Sequence, residues 1–249
     1  MPSVTRRAKE TYEAPFVEWT ELEQHISEYW TQGQHVGLIG KTGSGKSHLA
    51  LRLMDLRPYV IIVATKRYDP LLEEASRGYI VREDMSEIPR TDQGHPIHNK
   101  VIIWPGTALK DESSRLSAQQ KAIRNTLDTA ERQRYWTVLI DDVMWVYDML
   151  GLSKKLEAIW YQARSAGISL VASAQRPVKT PRNMVAQASH LFLFSVSDKR
   201  DLEHFREIAG QIPPAMIEDI LPRLNADSHE FLYVGADDGF ICRSIAPAS

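Results

Sequence analysis

Gly40-Lys41-Thr42-Gly43-Ser44-Gly45-Lys46-Ser47 fits the phosphate-binding pattern G-x-x-x-x-G-K-[ST] at each fixed position. Before it, Gln34-His35-Val36-Gly37-Leu38-Ile39 is short and apolar enough for a buried strand. After it, His48-Leu49-Ala50-Leu51-Arg52-Leu53-Met54 places apolar residues at helical spacing. Strand, glycine loop and helix are the context the motif requires. The glycines let the backbone wrap with its N–H groups inward, and the helix aims its positive end into the same pocket. Lys46 is expected to reach the β- and γ-phosphates of a nucleoside triphosphate. The Ser47 hydroxyl is expected on Mg²⁺, and the backbone from Gly40 to His48 is expected to line the nucleotide.

Further along, strands and helices alternate. Tyr59 to Ala64 is an apolar, β-branched run with the look of a buried parallel strand. Short strands follow at 79–81 and 101–104, and a helix is expected over 117–133. Residues 135–140 form a strand that ends in Asp141-Asp142. A helix over 153–166 stops at Gly167, and the strand 168–174 delivers Gln175 at its tip. Another strand covers 190–196, and helices cover 198–209 and 213–224. The chain closes with apolar runs at 229–234 and 240–245 around Gly235-Ala236-Asp237-Asp238-Gly239, a hairpin signal. Ahead of the loop, Thr20 with Glu23 reads as a capping box for a helix over 20–30. The pattern predicts an α/β fold: a mostly parallel sheet with helices on both faces and an antiparallel C-terminal hairpin at one edge. Residues 1–15 are expected to be loose, and 16–249 to form one domain.

Composition narrows the class. At 249 residues, 43% hydrophobic and 25% charged, the chain is ordinary for a soluble globular protein. A net charge of -2 argues against a surface that coats nucleic acid, though it permits a local basic loop or ring lumen. The one cysteine, Cys242, excludes an internal disulfide and suits a reducing cytosol. No apolar run approaches the ~18 residues of a membrane span. The first ten residues are polar and basic, unlike a signal peptide.

The strand 137–140 followed by Asp141 reads as the acidic partner of the phosphate loop. Asp141 would hold the Mg²⁺ shell and Asp142 would serve as the base that polarises water, with capping of the strand end as the alternative. Gln175 can donate and accept at once, which suits orienting water beside a γ-phosphate.

Arg164-Ser165-Ala166-Gly167-Ile168-Ser169-Leu170-Val171-Ala172-Ser173-Ala174-Gln175-Arg176-Pro177 resembles the segment "R-x-A-G-I-x-L-V-x-A-x-Q-R-P" of the FtsK–HerA superfamily of DNA-pumping ATPases. Phe194-Ser195-Val196-Ser197-Asp198-Lys199-Arg200-Asp201 resembles the same family's "F-x-V-S-x-x-x-D" strand end. The resemblance covers roughly Gly37 to Gly239. It implies a P-loop NTPase fold of RecA/ASCE type with the glutamine strand central, beside the phosphate-loop strand. It implies a homo-oligomeric ring, pentamer or hexamer, that moves double-stranded DNA with ATP and Mg²⁺. It also implies an arginine finger given to the neighbouring subunit's ATP, with Arg164 the first choice and Arg200 the second; Arg176 reads as structural. The family commonly has Glu where this chain has Asp142. The compact chain is similar to viral genome-packaging ATPases, which implies a host cytoplasmic location and a capsid portal or vertex as partner. An ATPase of conjugation, defence or DNA repair shares these motifs. A small-molecule kinase would explain the phosphate loop but not Asp142 and Gln175. Lys110, Arg115, Lys179 and Arg182 lie in or beside loops that could face DNA, and His95 and His98 share a loop.

Overall fold

The computed structural model describes residues 11–88, 91–93, 97–208 and 212–247, apart from the side chains of 87, 163, 164 and 206–208. In chain order its elements begin with α1 (Trp19–Tyr29), β1 (His35–Ile39), α2 (Lys46–Asp55), β2 (Val60–Val63), α3 (Pro70–Ala75), β3 (Ile80–Arg82) and β4 (Lys100–Ile103). Then come α4 (Glu112–Gln133), β5 (Thr137–Ile140), α5 (Ser153–Ala166), β6 (Ser169–Ala174), α6 (Arg182–Ala186) and β7 (Ala188–Phe194). α7 (Lys199–Ile208), α8 (Pro214–Ile220), β8 (Glu230–Gly235) and β9 (Ile241–Ile245) complete the chain. The described residues fall into two compact units. One draws on Met1–Thr31, His35–Leu49 and Ala174–Ser249, the other on Gln32–Gln34 and Ala50–Ser173.

The second unit carries parallel strands in the order β3-β4-β2-β5-β6. β2 lies between β4 and β5, with Ile61 level with Val101 on one side and Val138 on the other. Every residue of β2, β5 and β6 is buried. Burial on both faces is why these strands read as continuous apolar runs rather than alternating ones. Each fully buried Val, Leu or Ile side chain contributes about 1.5–3 kcal/mol. α4 presents Ala122, Ile123, Leu127 and Ala130 to the core at helical spacing.

In the first unit β1 pairs with β7 in parallel, and β7-β8-β9 are antiparallel, with β9 at the edge of this set. An aromatic core fixes the antiparallel part: Phe192 and Phe231 are T-shaped at 5.4 Å, and Phe194 lies 5.6 Å from Phe231. The mostly parallel α/β pattern and the C-terminal hairpin are those expected from the sequence.

Some local expectations change. α1 starts at Trp19 on an N-cap Glu18 without a side-chain cap bond, and the N–H groups of Glu21 and Leu22 both go to the Glu18 carbonyl at 3.1 Å. Thr20 is inside the helix, so the capping box does not form. Burial of Leu22 and Ile26, 0% and 1% exposed, sets the helix face and admits one more residue at the front. α4 begins at Glu112 because the Asp111 carboxylate accepts the Ser114 N–H at 2.7 Å, an N-cap ahead of the apolar periodicity. Of the segment 1–15, residues 1–10 lie outside the described residues; in the rest, Arg223 donates to the Tyr12 carbonyl at 2.6 Å and the Arg243 N–H to the Pro15 carbonyl at 2.7 Å.

Candidate active site

In the first unit the phosphate loop leaves β1 at Gly40, whose N–H donates to the Ala174 carbonyl at 3.1 Å. Ala174, in the same unit, is therefore fastened to the base of the loop. A Cβ at Gly40 would sit 2.5 Å from the Phe194 Cβ, so a side chain there is excluded by the core strand β7. Gly43 and Gly45 have φ of 81° and 94°. These left-handed positions turn the backbone into the concave shape that presents N–H groups to an anion. A Cβ at Gly45 would also press on His229 at 3.1 Å.

Lys46 opens α2 and is 6% exposed. Its ammonium curls back into the loop, donating to the Lys41 carbonyl at 2.9 Å and approaching the Ser44 Oγ at 3.5 Å. A buried ammonium inside a loop of backbone N–H groups is suited to an anionic ligand. Lys41, Thr42 and His48 are exposed and Ser47 is half-buried.

Gln175 follows Ala174, the last residue of β6. The Thr42 hydroxyl donates to its Oε1 at 3.2 Å, so the amide is bonded to the phosphate loop itself. The next residue fixes that tip: Arg176 Nε and Nη2 donate to Asp201 Oδ2 at 3.2 and 3.0 Å, and the Val178 N–H donates to Asp201 Oδ1 at 3.2 Å. The Asp201 carboxylate is buried, and Arg176 belongs to this anchor. The Arg200 side chain is exposed, while its N–H donates to Asp198 Oδ1 at 2.9 Å and helps start α7. Arg164 lies on α5 with its side chain outside the described residues.

In the second unit Asp141 follows β5 and its two carboxylate oxygens have different partners. Lys66 donates to Oδ2 at 3.0 Å, and the Ser173 hydroxyl is 3.3 Å from Oδ1 and also bonds the Asp141 carbonyl. Lys66 further donates to Asp69 Oδ2 at 3.1 Å, while Asp69 Oδ1 accepts the Leu72 N–H that starts α3. Burial would lower the Lys66 ammonium; the charges and hydrogen bonds of Asp141 and Asp69 outweigh it and hold the pKa above its ordinary value. Asp142 Oδ1 accepts the Trp145 N–H at 3.3 Å, the N–H of the first residue of a π-helical turn over Trp145–Met149. This bond to the start of the following turn uses one oxygen of the carboxylate and differs from the strand-end capping weighed against the catalytic role. Such π turns are rare and recur at functional sites. Lys66 and Ser173 belonged to no motif role in the sequence, while Asp201 is the closing acid of the F-x-V-S-x-x-x-D segment, with no role assigned to it there. Their signal is only that each sits at or just beyond a strand end or at a helix start, the places where parallel sheets put their chemistry.

Among the described residues no group of His, Cys, Asp and Glu could by itself hold a metal ion. His95 lies outside them. Lys110, Lys179 and Arg182 are exposed, while Arg115 is half-buried, 3.8 Å from Glu112. No helix among these residues is long and apolar enough to cross a membrane.

A strand–glycine loop–helix, a parallel sheet and acids at a strand end define a P-loop NTPase fold. The particular likeness is to genome-packaging and VirB4 ATPases. The DNA-packaging ATPase B204 of Sulfolobus turreted icosahedral virus superposes with a TM-score of 0.61 at 17% identity, over 88% of this chain and 100% of that one. The genome-packaging NTPase B204 of Sulfolobus turreted icosahedral virus 2, bound to AMPPCP, gives 0.60 at 16% identity, over 87% and 98%. VirB4 of Thermoanaerobacter pseudethanolicus gives 0.60 at 13% identity, over 86% and 89%. No protein-family profile and no curated protein sequence matches the chain.

Proposed function

We propose that this chain is the ATP-hydrolysing subunit of a ring motor that moves double-stranded DNA, and that it packages a viral genome. The observation that carries the reading is Gln175 bonded to Thr42 of the phosphate loop, with the Gly40 N–H on Ala174 behind it. A glutamine delivered to the loop by the strand that follows the acid strand is what a water-orienting, hydrolysis-sensing side chain requires. A small-molecule kinase has no use for it. The likeness to packaging ATPases supports the same reading.

In this reading the loop N–H groups and Lys46 bind the β- and γ-phosphates of ATP. Asp142 accepts a proton from the attacking water, and Gln175 orients that water. Ser47 and, through water, Asp141 would hold Mg²⁺, which when bound neutralises charge between the β- and γ-oxygens. One hydroxyl and one carboxylate fit that ion, because Mg²⁺ keeps several waters and shares phosphate oxygens instead of filling a protein cage. Arg164 of a neighbouring subunit supplies the finger, so each site is completed by a second copy of the chain in a pentamer or hexamer. The motor works in the host cytoplasm at a capsid vertex. The similarity to VirB4 favours a sibling reading, an FtsK–HerA-type ATPase outside packaging. Capsid genes beside the coding sequence, rather than a relaxase or nuclease, separate the two.

Two measurements test the reading. Phosphate release should rise several-fold, roughly five- to tenfold, when long double-stranded DNA is added at low salt, and the gain should fade as salt screens phosphate contacts. DNA-independent turnover across the salt range would remove the motor assignment. Arg164→Ala subunits should be nearly inactive alone and regain activity when mixed with Lys46→Ala subunits, because a finger acts in trans. An Arg164→Ala protein that is active by itself ends that assignment.

A further inference from the structure

Side chains outside every motif converge on the acid pair. Gln119 of α4 is 2% exposed, and both ends of its amide are used. Its Nε2 donates to the Thr65 carbonyl at 3.1 Å, and its Oε1 accepts the Trp145 indole N–H at 3.1 Å. Trp145 in turn gives its backbone N–H to Asp142 Oδ1 at 3.3 Å. The residue after Thr65 is Lys66, which donates to Asp141 Oδ2 at 3.0 Å. The short segment beyond β2 is therefore connected to both acids, to Asp141 directly and to Asp142 through Gln119 and Trp145. Only one orientation of the amide satisfies a carbonyl at one end and an indole N–H at the other.

We propose that Gln119 and Lys66 are positioning residues for the acid pair, holding the Asp141 and Asp142 carboxylates in one relative orientation; this rests on the ATPase reading above. An Asp at a strand end can turn about its side-chain bonds. Lys66 on Oδ2 and Ser173 on Oδ1 define the plane of the Asp141 carboxylate. The Trp145 N–H holds one oxygen of Asp142, and Gln119 keeps Trp145 in place. Neither Gln119 nor Lys66 belongs to the phosphate loop. Losing them should slow the chemical step, which depends on orientation, and leave nucleotide binding intact.

The test compares phosphate release, binding of a fluorescent ATP analogue and melting temperature across variants. Gln119→Met and Lys66→Met should each lower kcat about tenfold with analogue affinity within about twofold of wild type. Lys66→Arg, which keeps the charge, should retain most of the turnover. Gln119→Met orphans the half-buried indole N–H of Trp145; adding Trp145→Phe removes that group and should restore melting temperature without restoring kcat. A double variant whose kcat returns together with its melting temperature makes Gln119 merely structural and overturns the proposal. Wild-type turnover in Gln119→Met and Lys66→Met overturns it while the ATPase reading stands. A wild-type protein that binds the analogue and hydrolyses no ATP overturns both.

Discussion

Lys46→Ala should abolish ATP hydrolysis, with kcat/KM falling about 10²–10³-fold or more, as expected when a charged donor to the developing phosphate charge is lost. The ammonium is already inside the loop, 2.9 Å from the Lys41 carbonyl, in a residue 6% exposed. A triphosphate offers that ammonium charge-assisted hydrogen bonds to anionic oxygens. Truncation to Ala also removes the buried stem and the Lys41 contact, which confounds the activity loss with loosening of the loop. Lys46→Met keeps most of the stem and deletes the charge. It should match Lys46→Ala in turnover while melting within a few degrees of wild type. A ligand present at about 100 times its Kd stabilises a protein by about 2.7 kcal/mol. AMPPCP at such a concentration should therefore raise the melting temperature of wild type and fail to raise that of either variant. If Lys46→Met keeps half of the wild-type turnover, the loop is a turn and not a nucleotide site.

The architecture was readable where burial is two-sided. β2, β5 and β6 are buried at each position, so Val60–Val63 and Thr137–Ile140 announce themselves as unbroken apolar runs. The glycine loop was readable because left-handed φ at Gly43 and Gly45 demands the residue type that the motif records. Gln175 and Asp141 were placed by their position after such strands. Helix starts were harder. Asp111 caps α4 in front of a polar turn, Glu112 to Ser114, where no apolar period exists to mark it. The π turn Trp145–Met149 has no period of its own either. The partners of the acids were invisible for a different reason. Lys66 is 75 residues from Asp141 and Gln119 is 54 from Thr65, and nothing local in either neighbourhood signals the pairing. Only the strand order, which sets β2 beside β5, brings the Lys66 side chain to the acid.

Asp142→Asn should lower turnover by about 10²–10⁴-fold, the range for loss of a general base, and leave nucleotide affinity close to wild type. The substitution is chosen for what it keeps. Asp142 Oδ1 accepts the Trp145 N–H at 3.3 Å, at the first residue of the π turn. Asn has a carbonyl oxygen of the same reach and is as good an N-cap, so the turn should survive and the melting temperature should hardly move. Asp142→Ala removes cap and base together and should cost about 1 kcal/mol of stability besides the activity. The contrast between the two variants separates the structural role, which the geometry displays, from the chemical role, which the sequence pattern proposes. Asp142→Glu adds a third criterion. The longer side chain carries the carboxylate one methylene further, away from the short reach that suits the Trp145 N–H. A base needs its carboxylate at the attacking water, and a cap needs it at the backbone. If Asp142 is chiefly a base, Glu should retain measurable turnover with a lowered melting temperature. If it is chiefly a cap, Asn should be fully active and Glu the poorer enzyme. Steady-state phosphate release and thermal melts on the three variants decide between them, and full activity in Asp142→Asn would move the search for the base to another residue.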